Sequence, residues 1–150
     1  MSEKICFFCG HRKIYVPNLS EKVERIVIDL IRNQNIRTFY SGNMGEFDNL
    51  CEEVIRKLKR QYSDIKIFWI APYFTQKMNK FNREQGIIYD GIIIPNLGMV
   101  YYKQAIIKRN QWMVDNADTV ICYIEHEYGG AYNTMKYAKK GNIKIYDVLL

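Results

Sequence analysis

The stretch that decides the fold is Thr38-Phe39-Tyr40-Ser41-Gly42-Asn43-Met44-Gly45-Glu46-Phe47-Asp48. Its aromatic and β-branched run breaks at Gly42, and apolar residues then recur with helical spacing from Phe47 to Leu58. This pattern predicts a strand, a tight turn and a helix. If the strand is parallel and central, the N-terminus of that helix lies at the carboxyl edge of the sheet. There its free N–H groups and its dipole favour an anion such as phosphate.

A second glycine turn, far along the chain, strengthens this interpretation. The first turn, Gly42-x-x-Gly45, lacks the third glycine of the dinucleotide fingerprint and the Lys-Ser/Thr of a P-loop, so an ordinary strand-to-helix turn explains it equally well. Gly129-Gly130 also follows an apolar strand and precedes a helix. Because parallel strands bring such turns to one edge of a sheet, we expect both turns to meet one ligand, with the hydroxyl of Thr134 nearby.

Apolar runs alternate with helical patterns along the whole chain, which predicts the fold class. Such alternation is typical of an α/β protein with a Rossmann-like, doubly wound, mostly parallel sheet and helices on both faces. We expect one domain over residues 1–150. Gly91 and Pro95 leave the length and the place of the fourth strand open, and the polar residues 75–86 before it are compatible with a short helix. The expected strands cover residues 4–9, 36–40, 65–70, 87–95, 119–124 and 143–148.

Composition narrows the environment and the ligand class. No apolar run is long enough to cross a membrane, so we expect a cytoplasmic protein without membrane contact. The formal charge of +6 favours anionic ligands, although the basic residues are dispersed. The pair Cys6-x-x-Cys9 lies on a predicted strand and has no second cysteine pair to complete a metal site. We therefore expect reduced thiols, no metal and no cofactor.

The loop after the first strand carries an imidazole and a guanidinium. Gly10-His11-Arg12 follows an apolar strand that is expected to be central. A single histidine or arginine is more often a surface group. Two of them in a loop that opens toward the glycine turns are well placed to meet an anion.

Four motifs in this order resemble the SLOG superfamily of Rossmann-like proteins, which joins the DNA-processing Smf/DprA proteins with the Lonely Guy phosphoribohydrolases. The resemblance covers nearly the whole chain and is strongest to the small bacterial YpsA-like branch. The last two of the four motifs are the more specific. The motifs are Cys9-Gly10-His11-Arg12, then Ser41-Gly42-x-x-Gly45-x-Phe47-Asp48, then 108–118 with Arg109, and then Tyr128-Gly129-Gly130-Ala131-Tyr132-Asn133-Thr134.

The resemblance implies a nucleotide or nucleotide-derived ligand held at the glycine turns. It assigns Arg109 to phosphate or base, and it places Asp48 where the carboxylate could accept a ribose hydroxyl. Pairing with the helix dipole explains Asp48 equally well. The full set of expected binding residues is Gly10, His11, Arg12, Ser41, Gly42, Gly45, Asp48, Arg109, Gly129, Gly130, Ala131 and Thr134.

Two departures from the Lonely Guy pattern leave the catalytic residues unassigned. Asn110 follows the motif arginine where those hydrolases have lysine, and the last helix carries Met135 and Lys136 where they place a glutamate. Glycosidic cleavage through an oxocarbenium-like state needs a carboxylate near the leaving group or the water. Glu125 and Glu127 could substitute from the preceding loop, although an exposed charged loop is the favoured interpretation.

Three functions follow from these patterns. The first is binding or sensing of a nucleotide, and the second is an N-glycosidase that acts on nucleoside monophosphates. Single-stranded nucleic-acid binding is the third; it is disfavoured because the charge is dispersed instead of following a groove with exposed aromatics. Tyr101, Tyr102 and Trp112 suit a subunit interface as well as a core, and we expect a homo-oligomer, in particular a homodimer.

Overall fold

The computed structural model describes residues 3–76, 78 and 89–150. This part of the chain contains six strands and four helices. They are β1 (Ile5–Gly10), α1 (Leu19–Gln34), β2 (Thr38–Ser41), α2 (Glu46–Leu58), β3 (Lys66–Ile70), β4 (Gly91–Ile93), α3 (Tyr102–Asp115), β5 (Thr119–Tyr123), α4 (Gly130–Ala138) and β6 (Lys144–Asp147).

The strands form one sheet in the order β4-β3-β2-β1-β5-β6, and every neighbouring pair is parallel. The order reverses beside β1, because β2 lies on one side of it and β5 on the other. In a doubly wound sheet, ligands bind outside the carboxyl ends of the strands at such a reversal. The predicted fold class is confirmed.

Two apolar layers lie on opposite faces of the sheet, because successive side chains of a strand point to opposite sides. Phe8 packs into the layer under α1 and α2. Phe7 belongs to the layer under α3 and α4. Cys6 and Cys9 divide between the two layers in the same way, so their thiols cannot approach each other.

The fourth strand is shorter than the predicted span 87–95. It covers Gly91–Ile93, and among the described strands it pairs only with β3, at the edge of the sheet, where a following proline costs no ladder hydrogen bond. The first residues of that span, 87 and 88, and most of the short helix suggested for 75–86 lie outside the described residues. In the part of the chain that is described, no helix has both the length and the apolarity to cross a bilayer.

Candidate functional site

A cleft of about 490 Å³ lies at the carboxyl edge of the sheet, beside the strand-order reversal. Its walls come from the loops after β1, β2 and β5 and from one face of α3. Ten of the twelve predicted binding residues line it: Gly10, His11, Arg12, Gly42, Asp48, Arg109, Gly129, Gly130, Ala131 and Thr134.

The other two predicted residues, Ser41 and Gly45, do not line the cleft. Ser41 is fully buried, where its hydroxyl donates a hydrogen bond of 2.6 Å to Glu52 and accepts one from the backbone N–H of Asn43. Gly45 is the N-cap of α2 and adopts a φ of 118°, which side chains rarely tolerate. Both residues support the conformation of the first turn without lining the cleft.

The glycines of the first turn make room for atoms of two arginines. A Cβ atom on Gly42 would lie 3.1 Å from the Arg109 guanidinium carbon, and one on Gly45 would lie 2.5 Å from the Cα atom of Arg12. By contrast, a Cβ atom on Gly130 would meet no protein atom within 4 Å. The second glycine turn is therefore the one that is open toward a ligand.

The N-terminus of α2 is already occupied by protein groups. The backbone N–H of Glu46 donates to the carbonyl of Arg12 at 2.8 Å, and the N–H of Met44 donates to the Asp48 carboxylate at 2.8 Å. Glu46 and Asp48 also place two carboxylates in the first turn, where they complement the positive end of the dipole. An additional anion gains little at this helix.

The N-terminus of α4 is open. Its N-cap, Gly129, provides no side-chain cap, and the first turn contains no acidic residue. The first N–H groups of a helix have no intrahelical acceptor, and those of Gly130 and Ala131 donate to no other group of the described chain. The Thr134 hydroxyl donates back to the Gly130 carbonyl at 2.7 Å. Backbone N–H groups and the helix dipole thus offer an anion site at α4.

Arg109 is buried beside this cleft and keeps a free donor. Its Nη1 donates to the carbonyls of Gly42 (3.0 Å) and Ile70 (2.8 Å), and its Nε donates to Asn110 (2.8 Å). No hydrogen bond of Nη2 occurs within the described residues, although the side chain is only 1% exposed. Burial lowers the pKa of Arg109 to about 10 while the charge of Asp48 opposes this change, so the guanidinium remains charged at neutral pH.

Asp48 is the only carboxylate among the described residues that line the cleft. Burial raises its pKa from 3.8 to about 6, and the Met44 N–H and the charge of Arg109 oppose this rise. One helical turn later, burial raises the pKa of Glu52 to about 7. Both carboxyl groups therefore titrate close to neutral pH.

His11 lines the cleft, but its Nε2 is already in use. That nitrogen accepts the backbone N–H of Glu125 at 2.9 Å and the N–H of His126 at 3.4 Å. The imidazole stacks on the ring of His126 with centroids 3.7 Å apart, and His126 stacks in turn on Tyr128 at 3.9 Å. The His11 Nε2 thus cannot also donate to an anion.

The two loop carboxylates that could have replaced the missing glutamate lie elsewhere. Glu125 and Glu127 line a second cavity of about 480 Å³ between β5, β6 and α4. His126 lines both cavities. The Glu125 carboxylate accepts a hydrogen bond from the hydroxyl of Tyr123. Neither carboxylate lines the main cleft.

Several lining residues were missed by the sequence prediction. Ile106 and Met113 lie three and four residues from Arg109, on the same face of α3, and this spacing alone could have identified them. The remaining ones are close neighbours in sequence of predicted residues. The missed lining residues are Phe8, Cys9, Lys13, Tyr15, Met44, Ile106, Asn110, Met113 and His126.

The profile of the YspA SLOG family matches residues 3–148 of the chain. No curated protein has a matching sequence. One solved structure with the same fold is DNA processing protein A from Streptococcus pneumoniae, with a TM-score of 0.64 and 16% identity; the alignment covers 97% of this chain and 50% of that one. The present chain thus spans about half the length of the pneumococcal protein.

Two further structures share the fold. DNA processing protein A from Helicobacter pylori, described for its single-stranded DNA binding mode, aligns with a TM-score of 0.65 and 17% identity over 96% of this chain and 64% of that one. A molybdenum cofactor binding protein from Rippkaea orientalis aligns with a TM-score of 0.61 and 17% identity over 98% and 77%.

Proposed function

This chain belongs to the YspA SLOG family, and we propose that it binds or senses a nucleotide or nucleotide-derived ligand in the cleft beside β1. Its membership confirms the resemblance predicted from the four motifs. The observation that carries the proposal is the pairing of the uncapped N-terminus of α4 with the free Nη2 donor of buried Arg109. The free N–H groups at the positive end of a helix dipole and the guanidinium cation belong to the walls of one cleft, and together they suit a phosphate.

The ligand phosphate is proposed to lie over Gly129, Gly130 and Ala131. Gly130 supports this position because the space beside it is open, so a phosphate oxygen can approach the backbone. Arg109, which also lines the cleft, would contact the phosphate or a base. The ionised carboxylate of Asp48 would accept a hydrogen bond from a ribose hydroxyl.

An N-glycosidase is the second candidate function, and Asp48 is the observation in its favour. A carboxyl group with a pKa of about 6 exchanges a proton near neutral pH, as an acid–base catalyst must. Asp48 however accepts a backbone hydrogen bond and has no second carboxylate opposite it within the described lining. Binding without cleavage is therefore the better-supported proposal. Catalytic residues stay unassigned.

Nucleic-acid binding is the weaker third candidate. DNA processing protein A from Helicobacter pylori, which has this fold, binds single-stranded DNA. In the present chain the basic residues are dispersed along the sequence, and the cleft has a volume of about 490 Å³. A mononucleotide-sized ligand fits these features better than a polymer.

We also propose a homodimer formed through α3. Tyr101, Tyr102 and Ile107 expose 79%, 61% and 56% of their surface on or beside this helix, and burying such side chains is the usual reason for subunit contact. A cytoplasmic location and one nucleotide-binding domain over 1–150 complete the proposal. The four free, buried thiols suit a reducing compartment.

The test is a thermal-shift and calorimetric comparison of nucleoside mono- and diphosphates with the corresponding nucleosides. Ligands that bind only the folded chain raise its melting temperature by mass action. We expect the phosphate-bearing ligands to raise it and the nucleosides to have little effect. If neither nucleotides nor inorganic sulfate bind, the anion site at α4 is wrong.

A further inference from the structure

We propose that His11 is a positioning residue of the anion site, which as a neutral imidazole holds the loop that ends at the N-terminus of α4. The loop runs from 124 to 129, between β5 and α4. Its backbone is fixed to β1 through the two hydrogen bonds that His11 Nε2 accepts from Glu125 and His126. The binding part of this inference rests on the proposed function, whereas its structural part does not.

The hydrogen bonds define the protonation state of His11. A backbone N–H can only donate, so Nε2 must present its lone pair and the ring proton must lie on Nδ1. Two donors that converge on one nitrogen stabilise this tautomer. His11 is 8% exposed, so solvent has little access to replace these bonds. The imidazole thus serves as an acceptor for the loop.

Protonation of His11 would disrupt this arrangement. The imidazolium carries a proton on Nε2, which would face two backbone N–H donors. The ring of His126, stacked 3.7 Å away, adds a second titratable group whose charge opposes that of His11. Burial and His126 lower the pKa of His11 below its usual value, and Glu125 opposes this change.

The groups that face His11 come from three parts of the fold. Glu125 and His126 belong to the loop, Tyr123 meets the imidazole edge-on from β5 with centroids 5.7 Å apart, and Arg12 follows His11 in its own loop. Only the carboxylate of Glu125 favours the imidazolium. That carboxylate also accepts a hydrogen bond from the Tyr123 hydroxyl.

This arrangement predicts a pH dependence of unusual sign. Adding positive charge beside an anion site ordinarily raises anion affinity. Here the added proton breaks the hydrogen bonds that position the loop 124–129, and with it Gly129. The affinity for an anion should therefore fall as His11 is protonated. Protonation of Asp48, which removes a negative charge from the cleft, acts in the opposite direction and must be separated from it.

The first measurement uses the protein without ligand. We expect the ¹⁵N resonances of the Glu125 and His126 amides to shift together with protonation of the His11 ring, and the ring nitrogens to report the Nδ1–H tautomer at pH 7.5. In His11→Gln, whose side-chain oxygen can accept the same N–H groups without titrating, this step should disappear. A step that persists in His11→Gln belongs to another group and overturns the proposal, as does an Nε2–H tautomer in the native protein.

The second measurement is the affinity for sulfate, whose charge does not change between pH 5.5 and 7.5. Asp48 titrates in this range in both proteins, so the comparison between them isolates His11. We expect the ratio of the affinity at pH 7.5 to the affinity at pH 5.5 to be about fivefold or more larger in the native protein than in His11→Gln, because only the native protein also titrates at residue 11. His11→Phe, which keeps a ring but no acceptor, should bind weakly at both pH values. Equal pH dependence in the native protein and His11→Gln overturns the role of His11.

The two measurements separate the two claims. If sulfate binds at neither pH while the amides titrate with His11, the anion site fails and the positioning role stands. If sulfate binds and the amide resonances do not shift with protonation of His11, the anion site stands and the positioning role fails.

Discussion

The guanidinium of Arg109 occupies the space that a side chain on Gly42 would need. A Cβ atom there would lie 3.1 to 3.3 Å from three atoms of the guanidinium, and the Gly42 carbonyl accepts a hydrogen bond from Arg109 at 3.0 Å. The first glycine turn and the α3 arginine are therefore one structural unit. The glycine serves the site indirectly, by leaving room for the side chain that is proposed to contact the ligand.

Gly42→Ala should therefore move Arg109 and weaken ligand binding. The displacement needed is a few tenths of an ångström, so we expect a loss of about 1–2 kcal/mol in binding, comparable with the loss of one hydrogen bond. Calorimetry with the best nucleotide of the screen measures it. Gly141→Ala, at a site where the added Cβ makes ordinary contact, is the matched control. Full affinity in Gly42→Ala would mean that Arg109 tolerates the shift.

Gly130→Asp should abolish binding while the protein stays folded. A Cβ atom on Gly130 would meet no described protein atom within 4 Å, so the backbone there accepts a side chain. The new carboxylate places negative charge at the N-terminus of α4, where the phosphate is proposed to lie. Binding is measured by thermal shift and folding by circular dichroism. Gly141→Asp carries the same charge change beyond the other end of α4 and should bind normally. Unchanged binding in Gly130→Asp would contradict the site.

Arg109→Ala should weaken binding of a charged ligand by about 1.5–3 kcal/mol, the usual worth of a charge-assisted hydrogen bond. It also leaves the carbonyls of Gly42 and Ile70 without their donor, so some stability is lost as well. Calorimetry and urea unfolding separate the two effects. Lys108→Ala, an exposed neighbour of equal charge, is the control. Lower stability with normal affinity would make Arg109 purely structural.

Incubation with nucleoside monophosphates should release little or no free base. Met135 and Lys136 stand where the Lonely Guy pattern has a glutamate, and a missing acid–base group usually costs about 10²–10⁴-fold in rate. Chromatography of the products measures the release. If base is released, Asp48→Asn should abolish it and Glu127→Gln should not, since only Asp48 lines the cleft. Release that depends on Glu127 would show that the second cavity takes part.

The buried carboxyl groups should make the protein less stable as pH rises. The pKa of Glu52 is raised from 4.5 to about 7, so its contribution is present below pH 4.5 and is lost as pH rises through 7. Glu52→Gln should therefore raise the free energy of unfolding at pH 8 by about 1–3 kcal/mol and change it little at pH 5. Urea unfolding at both pH values measures this. Glu53→Gln, its exposed neighbour, should show neither effect.

The fold was predictable because its signals are local. Alternating apolar runs and helical patterns specified the parallel sheet, and the positions of the glycine turns relative to these runs identified the edge where the cleft forms. The length of β4 was not predictable, since whether Gly91 lies in a central or an edge strand depends on pairing that no local pattern encodes.

The roles of individual site residues were harder to predict than their positions. Gly42 was expected to admit phosphate, but the contact that requires a glycine there comes from a side chain 67 residues away. His11 was expected to meet an anion, but its Nε2 accepts hydrogen bonds from a loop more than 100 residues away. Both cases depend on contacts between residues far apart in sequence, which the spacing of residues within one element does not reveal.

The hydrogen bonds of Arg109 also bear on when the site forms during folding. Its acceptors lie 67 and 39 residues earlier in the chain, so α3 must close long loops before the guanidinium reaches the ends of β2 and β3. Loop closure of this length favours late assembly, after the local pairing of the first strands and helices. A ligand that needs Arg109 can therefore bind only after α3 has packed against the sheet. Its effect would be to slow unfolding of the finished molecule, with little influence on the rate of folding.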